Sequence, residues 1–450
     1  MELEDTPLWK EVVKILNAGP TDANYGWEAY IHTPKETLRP ISLRSVNILR
    51  AYHDSFADEI TISTLFGLGT FAHKVFPYRD VLEITIRKVP LIENLDEIDP
   101  SREIEAERFT AHLIGKYMSP TIGQGNEADD GKALDISQLI DVHFQLQNRA
   151  AEQLRIMLIG GVGRDANMQK FLTTTITKET EKILVDGERA ILGVDMVKAD
   201  NKDIKEQIVV RQGTRLVDLS DYLQKRIGVY NAGMGSYIQN RYWYVFPLYD
   251  TTDFNRRHET LTLLVVPEKK LTDVERTFRT EAGVTTIMVT SKTAFTDDSG
   301  TNYQNYGNGA RFANADMIMD SNMDTHGNKT MLTRKKNNSE FITDRQDDYQ
   351  YAPVTSNMAT ANPFAILTQQ AAKRGGLFKA IWQNSDMSLV FPGMVVKIIY
   401  TVKDEIREIY GIMHASMTVG HKPGGITSSV YKNQTVLEVF VNDQIRPLEA

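Results

Sequence analysis

The chain contains no cysteine. Disulfides, thiolate metal sites and cysteine nucleophiles are therefore excluded. Its nine histidines are scattered, with no H-E-x-x-H and no paired spacing of the kind a metal site uses. No apolar run approaches the ~20 residues that a bilayer crossing requires. The acidic opening Met1-Glu2-Leu3-Glu4-Asp5 lacks the form of a secretory n-region. Positive charge is also short: 51 Lys and Arg face 59 Asp and Glu, a net charge of −8. That balance argues against a chain that binds nucleic acid as a whole. Together these absences predict a soluble protein made in a cytoplasm, with no metal, no cofactor and no stable membrane association.

What is present is globular composition, 41% hydrophobic and 24% charged over 450 residues. That length predicts about two to four domains. Residues 1–34 read as an N-terminal helical arm. Thr6 and Pro7 fit an N-cap and first helical position, Leu8, Val12, Ile15 and Leu16 form one face, and Asn17 and Gly19 end it. Ten helical residues are marginal alone, so the arm must dock, on its own chain or on another.

From residue 42 the hydrophobic period becomes two. Ile60 and Ile62, then Leu82, Ile84 and Ile86, then Phe109, Ala111 and Leu113, then Ile140, Val142, Phe144 and Leu146 alternate with polar neighbours. This predicts antiparallel strands with one buried face, and a first β-barrel region over 35–160 with a loop at 120–135. A mixed helical insert is expected over 161–235: a short helix from Asp165, a strand at Gln207–Arg211, then a helix capped by Thr214 and closed by Gly228. A second β/α region follows at 236–291, with strands at Tyr242–Pro247 and Leu261–Val266 and a helix from Thr272 through Phe278 to Gly283. Residues 292–360 are rich in Asn, Asp, Ser, Thr and Gly and read as a long polar loop that orders on binding. The last part, 361–450, is expected to hold a helix from Asn362-Pro363 to Gly375-Gly376 and a small C-terminal β-domain. Its strands are placed at Ser388–Phe391, Val395–Val402, Glu408–Thr418 and Thr435–Val441. The expected fold class is α+β and β-rich: two tube-like antiparallel β-barrel domains, helical inserts and that small terminal domain.

Few residues point to chemistry. Gly161-Val162-Gly163-Arg164-Asp165-Ala166 fits the G-x-G-x-x-G/A dinucleotide pattern, with Asp186 placed to hold a ribose. The helix after it would be threonine-rich (Thr173, Thr174, Thr175, Thr177), and no series of βα units follows. A glycine turn is the better reading. Asp320, Asn322 and Asp324 begin like a calcium loop, but Thr325 stands where its glycine belongs and Met331 where its bidentate glutamate belongs. No serine has the G-x-S-x-G context. No catalytic, cofactor-binding or metal residues are therefore assigned.

The order of the pieces resembles baseplate hub (tail hub) proteins of contractile-tailed bacteriophages. The resemblance lies in Val46–Tyr52, Asp58–Ser63 and Leu82–Ile86, then Thr214–Leu219 with Tyr222-Leu223-Gln224 and Gly228-Val229-Tyr230, then Phe391–Ile398, Gly411-Ile412-Met413 and Leu437-Glu438-Val439. The arm and the polar loop have no counterpart in that pattern. The resemblance implies a non-enzymatic homotrimer in the virion tail baseplate, assembled in the host cytoplasm. Its implied partners are the tail tube protein, the central spike protein, baseplate wedge proteins and the tape-measure protein, with DNA only passing through an axial channel. Another tail component (tube, wedge or adaptor) or a nucleotide-binding enzyme are the competing readings. The residues expected at interfaces are Trp9, Val12 and Leu16 on the arm, Tyr242, Trp243 and Tyr244 in the aromatic strand, and Val395 and Ile399 on the second face of their strand.

Overall fold

The structure, a computed structural model, describes residues 7–17, 25–90, 106–114, 139–185, 187–251, 260–268, 276–281, 283–291, 375–402, 405–422 and 431–442. It also describes four short strands within 310–341 and helical positions 364, 367–368 and 371–372. The expected loop at 120–135, Asp186, Thr272, Asp320, Asn322 and the start of the helix at 362–363 lie outside these residues.

Helix α1 spans Pro7–Leu16, and strand β1, Tyr25–His32, follows it. The stretch 1–34 is thus only partly an arm. Tyr25, Ala29 and Ile31 are buried in β1 and make it a core strand paired along its length with β5. The strands that build this first β-unit are β2 (Thr37–Leu38), β3 (Ser42–Ala51), β4 (Glu59–Gly67), β5 (Glu83–Pro90), β6 (Ala106–Ile114) and β7 (Leu139–Asn148). Between β4 and β5, helix α2 (Leu68–Thr70) runs into a wider turn that buries Phe71 and Val75. The neighbours run β2-β1-β5-β6-β7-β4-β3, all antiparallel. The predicted alternation holds: Ile60, Ile62, Ile84, Ile86, Phe109, Leu113, Val142 and Phe144 all enter one core.

The insert contains α3 (Arg149–Ile156), β8 (Leu158–Ala166), α4 (Met168–Thr180), β9 (Leu184–Val185), β10 (Glu188–Arg189), β11 (Gly193–Met196), β12 (Lys205–Arg215), α5 (Leu219–Arg226), β13 (Met234–Gln239) and β14 (Tyr242–Pro247). Asn148 and Asn167 cap α3 and α4 by accepting from Ala151 N and Lys170 N. Thr214 caps nothing: it lies in β12, and a short 3-10 turn at Leu216–Asp218 leads into α5 instead. The expected buried face, Leu216, Leu219 and Leu223, is otherwise as read, and Gly228 ends the segment with φ +88.

The second β-unit uses β15 (Thr260–Val265), β16 (Phe278–Glu281) and β17 (Val284–Val289). The short strands β18 (Ala310–Phe312), β19 (Met323–His326), β20 (Lys329–Leu332) and β21 (Ser339–Phe341) come next and pair β18 with β21 and β19 with β20. The segment read as one polar loop therefore contains two small ladders. The unit is completed by β22 (Gly375–Gln383), β23 (Val395–Val402), β24 (Glu405–His421) and β25 (Lys432–Asn442). Three expectations change here. Phe278–Glu281 is a strand, because Phe278 packs edge-on against Trp382 while Arg279 pairs with Thr286 of β17. Gly375-Gly376 opens β22 instead of closing a helix. Met387–Leu389 is a 3-10 turn, not a strand.

Antiparallel pairing is not universal either. β15 lies parallel to both β17 and β23. Its neighbours continue β23-β24-β25-β22, and a two-bond bridge between Thr290 and Ile381 (2.9 and 2.7 Å) links the end of β17 back to β22. Leu261, Leu263, Ile287, Val289, Ala380, Trp382, Val396, Ile398 and Val439 fill the space inside this circuit.

The two units share one sheet. β24 is 17 residues long, and its first half pairs with β23 while its second half pairs with β3. A register shift between Met413 and Ala415 leaves His414 as the extra residue, and such a bulge bends a strand. That bend lets one strand serve both units. Gly411, just before it, admits close packing: a Cβ there would stand 2.5 Å from Val439 and 2.6 Å from the Phe440 carbonyl. The first β-region and the terminal β-segment are therefore joined edge to edge by pairing between residues some 370 positions apart, such as Val419 with Asn47.

Candidate assembly surfaces

For a chain with no catalytic motif, the informative surfaces are those that could meet another protein. The arm comes first. Leu8, Val12 and Ile15 of α1 are buried against Leu264, Val266 and Met288, with Trp9, Ile399 and Ile406 half-buried at the edge. β15 is apolar on both faces for this reason: Leu261 and Leu263 enter the circuit, while Leu264 lies under the helix. Burial of three such side chains stabilises docking by about 1.5–3 kcal/mol each. Val12 and Ile399 are thus held within the chain and Trp9 is half-buried with them, whereas Leu16 is exposed. Val395 is buried and pairs with Ile412. Among the described residues a groove of about 300 Å³ runs beside α1, lined by Glu11, Lys14, Ile15, Arg279, Glu281, Val284 and Thr286.

In the aromatic strand, Trp243 is wholly buried, donates to Ser236 Oγ at 2.8 Å and meets Phe56 edge-on. Tyr244 is buried too, and only Tyr242 is exposed. The stretch divides between two cores: Trp243 and Val245 lie beneath α5 and β12, whereas Tyr237, Tyr244, Phe246 and Tyr249 pack into the core of the second β-unit.

The same strand pair anchors the insert to the β-body through a buried polar junction that the sequence did not signal. Arg50 Nε donates to Asp58 Oδ2 at 3.1 Å, and its Nη1 donates to the Met387 carbonyl at 2.8 Å. Tyr237 OH donates to Asp58 Oδ1 at 2.8 Å. Tyr52 OH donates to Gln239 Oε1 at 3.2 Å, and Gln239 Nε2 donates to the Val390 carbonyl at 2.8 Å. Burial, the largest single influence, would lower the Arg50 pKa, but Asp58 together with Tyr52 and Tyr237 raises it overall. Burial pushes Tyr52 up to about 12 and Tyr237 well above its ordinary value. Both phenols therefore remain protonated donors at neutral pH. The only sequence cue was polar side chains at positions where the alternation calls for burial.

The G-x-G-x-x-A run is neither a nucleotide loop nor a turn. It lies within β8, antiparallel to β12, with Gly163 opposite Ile208 and Gly161 opposite Val210. A Cβ at Gly163 would stand 2.5 Å from the Phe171 ring, so the glycine makes room for α4. The N-terminus of α4 is already capped by Asn167. Calorimetric titration with NAD, NADP or ATP should therefore give no heat of binding. Micromolar affinity abolished by Gly163→Asp would overturn this assignment. Among the described residues no three His, Asp or Glu are placed to hold a metal ion, and no helix is long and apolar enough to cross a membrane.

No protein-family model matches this chain, and no curated protein matches it. Solved structures similar to it include phage tail proteins. The 43 kDa tail protein of prophage MuSo2 from Shewanella oneidensis aligns with a TM-score of 0.42 at 10% identity, covering 92% of this chain and 98% of that one. A tail protein from Neisseria meningitidis MC58 aligns at 0.40 and 11%, covering 93% and 98%. An E. coli component of the type VI secretion system, described as structurally similar to T4 bacteriophage tail proteins, aligns at 0.37 and 9%, covering 88% and 73%.

Proposed function

We propose that this chain is a structural subunit of a contractile phage tail, a homotrimeric hub ring that joins the tail tube to the central spike. One observation carries the reading. A single chain holds two β-units, each wrapped around its own apolar core, coupled by the shared strand β24. On this reading each unit is a tube-like barrel, and three chains set six of them around an axis. Such a ring has sixfold character toward a tube and threefold character toward a spike. It would contact wedge proteins at its rim and surround a channel through which the tape-measure protein and DNA pass. Closing strands on themselves and on neighbours also removes the free edges that invite aggregation. The reading assigns the chain no catalysis.

The test is mass. Light scattering or native mass spectrometry of the full chain, alone and with the tube and spike proteins of its particle, should show three copies of this chain, three times 50.9 kDa before any partner mass is added. A monomer at high concentration that neither partner trimerises would refute it.

A further inference from the structure

We propose that neighbouring copies join head to tail, the β8–β12 ribbon of one lying across the outer sheet face of β22, β25, β24 and β3 of the next. This rests on the reading that copies assemble, and it names the two surfaces that meet.

The ribbon is one of them. Among the described residues β8 and β12 pair only with each other. The inner face is buried through Ile208 and Val210. The outer face carries Leu158, Val162 and Val209, which are 65%, 54% and 51% exposed, with Val162 directly opposite Val209. Arg164 and Arg211 flank them, exposed and without an ion pair among the described residues. Large aliphatic side chains with arginines at their margin fit the centre of a protein interface. They fit a phosphate backbone poorly, because three of the five positions offer it no donor.

The other surface is a row. Register places Ile381 beside Val436, Val436 beside Met417, Met417 beside Leu49 and Leu49 beside Glu59. All five share the outer face of consecutive strands. Met417 and Leu49 are 44% and 36% exposed, and Glu59 is exposed at the end of the row without an ion pair among the described residues. Four strand spacings make the row about 19 Å wide, close to the roughly 20 Å from Leu158 to Arg164 along β8.

Charge selects the occupant. Residues 149–251 hold 15 of the chain's 51 Lys and Arg but only 13 of its 59 Asp and Glu, leaving 36 against 46 elsewhere. The arginine-rimmed apolar ribbon of one copy complements an apolar row of a second copy that ends in the carboxylate of Glu59. The two patches differ, so the contact is heterologous, and such contacts form a ring when the rotation between copies closes.

The test mixes two full-length variants. One is Val162→Asp with Val209→Asp, and the other is Leu49→Asp with Met417→Asp. All four side chains are exposed, so each variant should keep the wild-type circular dichroism and melting profile. Each alone should lose assembly, its association weakened by about 30-fold or more. Mixed one to one, they retain a single intact contact and should stop at a dimer. Arg164→Glu should weaken assembly at low salt, and Glu59→Arg in the same chain should restore it. If either double variant keeps the wild-type oligomeric mass, or the mixture yields no dimer, this contact is wrong while the hub reading stands. A wild-type chain that stays monomeric with its tube and spike partners would remove both.

Discussion

Asp58→Ala should destabilise the chain by about 3 kcal/mol or more, an effect out of proportion to one side chain. Breaking a buried ion pair by removing one partner typically costs about 3–5 kcal/mol, because the other charge is left in the interior. Here the Arg50 side chain is 6% exposed and that of Asp58 is 18% exposed. Without the carboxylate, Arg50 keeps carbonyl acceptors at Met387 and Val390 but no ion-pair partner among the described residues, and the Tyr237 hydroxyl loses its acceptor. The loss falls where β3, β13 and the turn at Met387–Leu389 meet, so the insert should loosen from the β-body. Urea unfolding followed by tryptophan fluorescence would report it, since Trp243 sits in the insert and Trp382 in the second unit. The pair Arg50→Met with Asp58→Leu removes both charges and should lose less than Asp58→Ala alone. If Asp58→Ala lies within 1 kcal/mol of the wild type, by this order-of-magnitude standard, the junction contributes little.

Acid should weaken the protein through His414. This residue is buried at the bulge of β24, its Nε2 2.9 Å from the Leu248 carbonyl and its ring stacked between His53 and Phe440, each 5.2 Å away. Burial lowers its pKa from 6.5 to about 4; His53 adds to the shift, and the Leu248 carbonyl and Glu438 oppose it. Above pH 6.5 neither the folded nor the unfolded chain protonates it, and its neutral form costs nothing. Between 6.5 and 4 the unfolded chain takes up the proton and the folded chain does not, so stability falls as pH falls. The slope is about 1.4 kcal/mol per unit and the total about 3 kcal/mol by pH 4. Gln in place of His414 can still donate to Leu248 and does not titrate. Urea midpoints at pH 7.5, 6, 5 and 4 should therefore diverge between wild type and His414→Gln, with the variant losing less. Parallel curves would show that the bulge does not titrate. Because the bulge is where β24 passes from one unit to the other, the same pH window should loosen the coupling between them.

Several elements were readable because their information is local. The alternating run Leu82, Ile84, Ile86 needs only period two and one dry side to specify β5. Pro7 with Leu8, Val12 and Ile15 needs only period 3.6 to specify α1. The stripe Leu216, Leu219, Leu223 was readable in the same way, although Thr214 was taken by β12 and the first turn tightened to 3-10. Phe278–Glu281 was misread as helix because a short segment carries little periodicity, and its pairing with β17 decides the matter. The glycines at 161 and 163 suggested a turn. They are in a strand because α4 and the Phe171 ring press against it, a fact that spacing alone does not encode.

The amino-acid sequence by itself determined that this is a cysteine-free, acidic, β-rich chain with amphipathic strands, an amphipathic N-terminal helix and no recognisable catalytic constellation. Those properties follow from composition and from periods of two and 3.6, which any short window displays. Tertiary structure alone decided which strands meet. It set β15 parallel to its neighbours, let β24 serve two units by bending at His414, and laid α1 over Leu264 and Met288. It also buried Arg50 beside Asp58 and left Leu158, Val162 and Val209 facing outward. Each of these depends on segments tens to hundreds of residues apart competing for the same apolar surface and hydrogen-bond partners, and that competition is resolved only when the whole chain folds.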